Sequence, residues 1–309
     1  MTSIATTPHA ADLSDWFWFA ALLALGGVLY FLCAAFPAEM PFWMPWEFSW
    51  PTFLACALGL AWFFRGLRAL PKADHPPVWR SIGFVVGVVS VYIVLQTHVD
   101  YYAQHMFFVH GWAQFVLRHA GAFLIALGCS APVLRAGMPA FLKPVVDARV
   151  TQRTINTLQH PAIAPVLFVG LLYLWSIPQV HTRAMLDRNL YDVMNWTTVL
   201  DGILFWSLIV DPRPTPPARL TPLIRGLLIL ITELPQMLLG AILTLSRTDY
   251  YPVYKICGRV LPFSALSDQH FGGLIVWLPS VMMSLLAMFI VLINLRLNEE
   301  KAEHAQTAS

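Results

Sequence analysis

The sequence predicts an all-α fold, a polytopic transmembrane bundle of seven or eight helices, and three observations carry that prediction. Of the 309 residues, 58% are hydrophobic and only 12% charged, a balance far from that of a soluble domain. Apolar runs of roughly 20 residues, the length that a bilayer core requires, recur between clusters of Pro and charge. Lys and Arg gather in alternate loops, as they do on the cytoplasmic side of membrane proteins.

Taken in order, residues 1–15 are small and polar and read as a disordered tail. The first span follows at about 16–36. Asp12 and Asp15 precede it with no Lys or Arg, so it lacks the positive start of a signal peptide and is expected to stay as a helix. Residues 37–48 hold Pro37, Pro41 and Pro45 with Trp43 and Trp46, an interfacial hairpin at headgroup level. A second span covers about 50–67 and a third about 81–97. The stretch His98-Val-Asp-Tyr-Tyr-Ala-Gln-His105 connects to a fourth span at about 106–128. Further spans read at about 161–179, 193–211, 222–245 and 273–294, so that residues 16–295 form the bundle and 296–309 a polar C-terminal tail.

About 13 of the 19 Lys and Arg fall in the loops after the second, fourth and sixth spans and at the C-terminus. About 5 fall in the other loops, and Arg118 stays inside the membrane. The positive-inside rule therefore puts both termini in the cytoplasm. His98, His105, His181, His270 and Asp268 then lie on the outer side, and His75, His160 and His304 on the inner.

Ionisable groups at membrane depth are costly and mark function or packing. Here they are Arg118, His119, Asp201 and Glu233. Arg118 with Asp201 or Glu233 makes a buried ion pair in one reading; in the other, Asp201 orients His110 as a carboxylate behind a metal ligand. His110 and His119 are nine residues apart, about 13 Å along a helix and on different faces, so they do not share an ion. Gln114 shares the face of His110. Imidazole and thioether suit copper(I), and His110, His105, His270, His98, His181 and Met106 form an outer set of that chemistry. The four cysteines are isolated, which argues against a zinc ribbon or a thioredoxin motif. No Gly-rich phosphate loop, nucleophile elbow or His-Glu-x-x-His is present, no basic tail points to nucleic acid, and no turnover is implied.

Several motifs in order resemble one family. Asp100 to Gln114 followed by Ser130-Ala-Pro-Val-Leu134 and Gly137-Met-Pro139, then Trp175-x-x-Pro178, Gly202-Ile-Leu-Phe-Trp206, and Asp268-Gln269 with Gly272-Gly273 and Trp277, are similar to the CtaG membrane family of cytochrome c oxidase assembly factors. The resemblance runs from about Asp100 to Pro279. It implies a helical membrane protein that assists a respiratory oxidase, with copper in transit, His110 as first ligand, and oxidase subunits or a copper chaperone as partners beside membrane lipid. The chain departs from the family pattern at Gln114, Ser176, Tyr191 and Asn195, where histidines are usual. Either the outer histidines have taken over or this member keeps the scaffold without the metal. A metal-free structural partner of the oxidase, a b-type haem carrier using His119, and a copper transporter are the alternatives.

Overall fold

The structure, a computed structural model, describes residues 8–307. Residues 1–7 of the expected N-terminal tail lie outside the described residues, and helix α1, Pro8–Ala35, takes in the rest. Helices α2, Trp50–Ala69, and α3, Val78–Gln96, each begin at or beside a proline, whose missing N–H costs nothing in the first turn. The connection after α3 is not a loop. Thr97 accepts from the Val99 amide at 3.3 Å and starts a short helix, α4, His98–His105.

Met106 is extended, with φ −138° and ψ 124°, and fully buried, so the helix stops and α5, Phe107–Phe115, starts on a new axis. A π turn at Val116–Ala120 joins α5 to α6, Gly121–Gly128. Four helices then run along the inner connection and back into the bundle: α7 at Ala131–Gly137, α8 at Lys143–Asp147, α9 at Arg149–Leu158 and α10 at Ile163–Ser176. At the outer end α11, Pro178–Leu186, leads to α12, Arg188–Ile209, whose start is fixed by the Asp187 carboxylate accepting from the Asn189 and Leu190 amides. Helix α13, Pro222–Leu245, starts on a Thr221 cap followed by proline. A short α14, Val253–Cys257, precedes α15, which runs from Ala265 to Thr307 through the expected polar tail.

The all-α membrane bundle read from the sequence is the observed fold. Among the described residues, five helices are long and apolar enough to cross a bilayer, and seven spans result if each of two sharply bent pairs is one span. Helix α12, 22 residues long, reaches about 33 Å at 1.5 Å per residue. Its Asn195, Thr198 and Asp201 are buried among the other helices, so these three polar side chains face protein. Helix α1 is the opposite case, with apolar side chains such as Phe17, Val28 and Phe31 largely exposed, as on a lipid-facing surface.

Two layers of packing set the centre. On the inner half, Phe123, Phe168, Phe205, Trp206 and Ile229 pack from α6, α10, α12 and α13. On the outer half, Phe107 meets Leu239, Leu243, Tyr251 and Tyr254. Between helices in a bilayer, association rests on close packing, and small residues allow it. At Gly202 a Cβ would stand 2.6 Å from the Arg118 carbonyl oxygen and 2.9 Å from the Ala122 Cβ, so α12 touches the π turn backbone to backbone. Gly202→Ala should therefore lower the unfolding temperature of the detergent-solubilised protein, at the roughly 1–3 kcal/mol typical of overpacking. Gly170→Ala, where a Cβ meets nothing within 4 Å, should leave it unchanged or slightly raised. Tryptophan fluorescence during heating measures both, and equal midpoints for the two variants would contradict the contact.

Candidate functional site

The outer end of the bundle closes on the start of α5. Its first two amides, Phe107 N and Phe108 N, donate to the two oxygens of Asp268 at 3.1 and 2.9 Å, from a residue 160 positions away in sequence. Asp268 is fully buried and also pairs with Arg259 at 3.2 Å. A carboxylate at a helix N-terminus satisfies orphan amides and opposes the helix dipole. This cap anchors the first turn of α5 and with it His110.

His110 and His181 are the two members of the predicted histidine set that the structure brings into ring contact. Their centroids lie 4.9 Å apart, edge to face, and both residues are buried. The His181 Nδ1 lies 3.2 Å from the Trp175 carbonyl and Nε2 lies 2.9 Å from the Tyr254 hydroxyl. A carbonyl only accepts, so Nδ1 carries the proton and Nε2 accepts from Tyr254. Burial lowers the His181 pKa to about 4, which keeps the ring neutral at physiological pH. The His110 Nδ1 is buried with no hydrogen-bond partner. Both rings border a cavity of about 50 Å³ that Gln114, Ser176 and Tyr251 also line.

The other predicted ligands make different contacts, and the buried Nδ1 of His98, like that of His110, has no hydrogen-bond partner. The His105 Nδ1 bonds to the Tyr101 carbonyl at 2.7 Å, within its own helix. The His270 Nε2 bonds to the Ser246 carbonyl at 2.8 Å. His98 stacks on Phe42 at 5.8 Å. Met106 is buried in the helix break. Among the described residues no group of three or more His, Cys, Asp or Glu side chains is placed to hold a metal. Of the predicted donors, the two imidazoles of His110 and His181 are the ones in ring contact.

Residues 61–297 match the model of the cytochrome c oxidase caa3 assembly factor family, Caa3_CtaG. The chain belongs to that family. Among curated proteins it is 27% identical over 233 residues to uncharacterised proteins of Mycobacterium bovis and Mycobacterium tuberculosis, covering 72% of this chain and 34% of each. It is 26% identical over 256 residues to one of Mycobacterium leprae, covering 78% of this chain and 38% of that one. The chain thus spans about a third of the length of these relatives. No solved structure matches it.

Below the histidine pair, this Caa3_CtaG member carries a column of buried polar groups. Gln114 donates to Asn195 at 2.9 Å. Asp201, expected to orient His110, instead pairs with Arg118 at 3.5 Å, the packing alternative of the sequence reading. Arg118 also donates to the Phe168 carbonyl, and the indole N–H of Trp206 donates to the Arg118 carbonyl at 3.0 Å. The His119 Nε2 bonds to Gln236 at 2.9 Å and lies 3.4 Å from Ser280. Glu233 takes the Ser284 hydroxyl and leaves Arg118 to Asp201.

Sequence reasoning missed Tyr254, Gln236 and Ser280, which meet their histidines from across the fold, 73, 117 and 161 positions away. It also left Asp100 without a role. Asp100 sits on α4, 4% exposed, and accepts from the Tyr191 hydroxyl at 2.7 Å and from Gln104 at 2.9 Å. Burial raises its pKa from 3.8 to about 6, against the opposing pull of those bonds and of Arg188.

The folded carboxyl therefore keeps a proton that the unfolded chain releases near pH 4. Stability falls as pH rises from about 4 to about 6 and stays lowered above that. Two pKa units correspond to about 3 kcal/mol. Asp100→Asn, which keeps an acceptor for Tyr191, should flatten the dependence across that window and raise the unfolding temperature at pH 7. An unchanged pH slope in the variant would show that Asp100 does not titrate in this way.

Proposed function

We propose that this chain is a membrane assembly factor for a respiratory cytochrome c oxidase, and that it holds copper(I) in transit at His110, with His181 as the second imidazole. The observation that carries the copper reading is the unpartnered, buried Nδ1 of His110 beside a second neutral imidazole. A buried polar atom without a hydrogen-bond partner is costly, and a ligand that takes its lone pair removes that cost. Copper is cargo here rather than a resident cofactor, so a site with few donors suits the task. Family membership supports the oxidase as the client. The distribution of Lys and Arg supports both termini on the cytoplasmic side of an inner membrane, with the histidine pair facing outward.

A second reading has a specific observation in its favour. Both nitrogens of His181 already have partners, as expected of a packing residue in a metal-free scaffold that docks on oxidase subunits. The haem alternative lacks room. His119 is stacked on Phe115 and enclosed by Phe168 and Trp206, and the cavity beside it is about 30 Å³.

Anaerobic copper(I) titration against a competing chelator separates the first two readings. The copper reading expects one ion per chain, lost in His110→Ala and retained in His105→Ala and His270→Ala. Tyr254→Phe should tighten binding roughly fivefold, since about 1 kcal/mol of competing hydrogen bond to His181 is removed. No binding by the wild-type protein would leave the metal-free scaffold. Binding that survives His110→Ala would move the site elsewhere.

A further inference from the structure

A wide cleft lies at the opposite end of the bundle from the histidine pair. It has a volume of about 610 Å³ and opens between the start of α3, the end of α6 and the ends of α9 and α12. Arg80, Arg213, Arg219 and His75 line it, against the carboxylates of Asp74 and Asp211, while Leu127, Leu208 and Val210 form apolar wall. The balance of formal charge is cationic, with three guanidinium groups facing two carboxylates.

Those guanidinium groups are not equally committed. Arg213 grips Asp211 with its Nε and Nη2 at 2.7–3.2 Å, so that pair is internally neutral. Arg219 donates through one nitrogen to Asn156 and is otherwise exposed. The Arg80 Nε is buried without a hydrogen-bond partner, and its guanidinium lies 5.1 Å over the ring of Trp79. A buried N–H of a charged group without an acceptor is a costly arrangement, and a negative charge in the cleft, met by the rest of the same guanidinium, would offset that cost.

The place of the cleft narrows the anion. Trp79 is 54% exposed at the first turn of α3, where aromatic side chains mark headgroup level, and Val78 and Ile82 beside it are exposed apolar surface. A ligand held by Arg80 would have its polar head in the cleft and its remainder over these side chains. Carboxylate and phosphate oxygens both match guanidinium geometry, and the position decides between them, because basic pockets at the cytoplasmic membrane edge are suited to phosphate headgroups.

We propose that this cleft binds the phosphate of an anionic phospholipid, with Arg80 as the main anchor and Arg219 at the rim. The test uses the full chain reconstituted in phosphatidylcholine, with spin-labelled phosphatidylglycerol as the probe and the relative association constant as the readout. Arg80→Gln should lower the preference for the probe about tenfold, the loss expected for one charge-assisted hydrogen bond. Arg219→Gln should lower it by a smaller factor, and it keeps the test open should Arg80→Gln fold poorly. Arg296→Gln, an exposed cation on α15, should have no effect, and inorganic phosphate should not displace the probe.

Wild-type preference in both cleft variants would overturn the site. An equal loss in Arg296→Gln would reduce it to diffuse surface charge. Displacement by inorganic phosphate at matched concentration would assign the cleft to a soluble phosphate instead of a lipid.

Discussion

A guanidinium at mid-bundle must be paired and hydrogen-bonded to exist there at all, and Arg118 imposes that constraint on everything around it. The π turn at Val116–Ala120 takes up one extra residue per turn and shifts the carbonyls out of the regular ladder. One of these carbonyls, that of Arg118, accepts from Trp206, and the guanidinium reaches Phe168 and Asp201. Helices α10 and α12 are thus tied to one point on the central segment, and Gly202 must lack a side chain for the approach to occur. The depth and rotation of α12 follow, and with them the position of Asn195 against Gln114.

The outer site depends on a different device. The helix break at Met106 frees the first amides of α5, and Asp268 takes two of them. Residues from the distant end of the chain thereby fix the one turn that carries His110. The same region supplies Tyr254, which holds His181 through its hydroxyl. The two imidazoles meet because three separate stretches, α5, α11 and the segment through α14, are locked to each other by buried polar bonds. The His110 Nδ1 is the buried atom of this pair that these bonds leave without a partner.

The sequence was legible where local chemistry decides structure. Thr221-Pro222 starts α13 at the predicted residue, and the fourth span at about 106–128 became Phe107–Gly128 with its π turn. The stretch 98–105 was less legible, because a Thr97 cap and burial of Asp100 turned an apparent loop into a helix. The continuation of α15 to Thr307 went unread because a polar helix leaving the membrane and a polar tail have similar composition. Within the site, His110 was legible from motif and depth. Its contact with His181 was not, since loop residues carry no information about distance. Asp201 shows the limit most clearly: its depth left an ion pair with Arg118 and a place behind His110 both open, and only helix rotation, which gives it to Arg118, could decide between the two.

On the copper reading, the spare chemistry of the outer site has a physical purpose. A carrier must bind tightly enough to collect its ion and loosely enough to surrender it, so a full set of ligands would work against delivery. Two imidazoles supply modest affinity, and the Tyr254 hydroxyl competes with the ion for the His181 lone pair. Any motion of α14 that brings this hydroxyl back would favour release, and α14 is a short helix in the outer connection between α13 and α15. The energy available is that of one buried hydrogen bond, of order 1 kcal/mol, enough to shift occupancy severalfold without the site being dismantled. Gln114 and Ser176, which line the cavity, act in the same direction on that reading, since amide and hydroxyl side chains keep it polar while adding little hold on a soft ion.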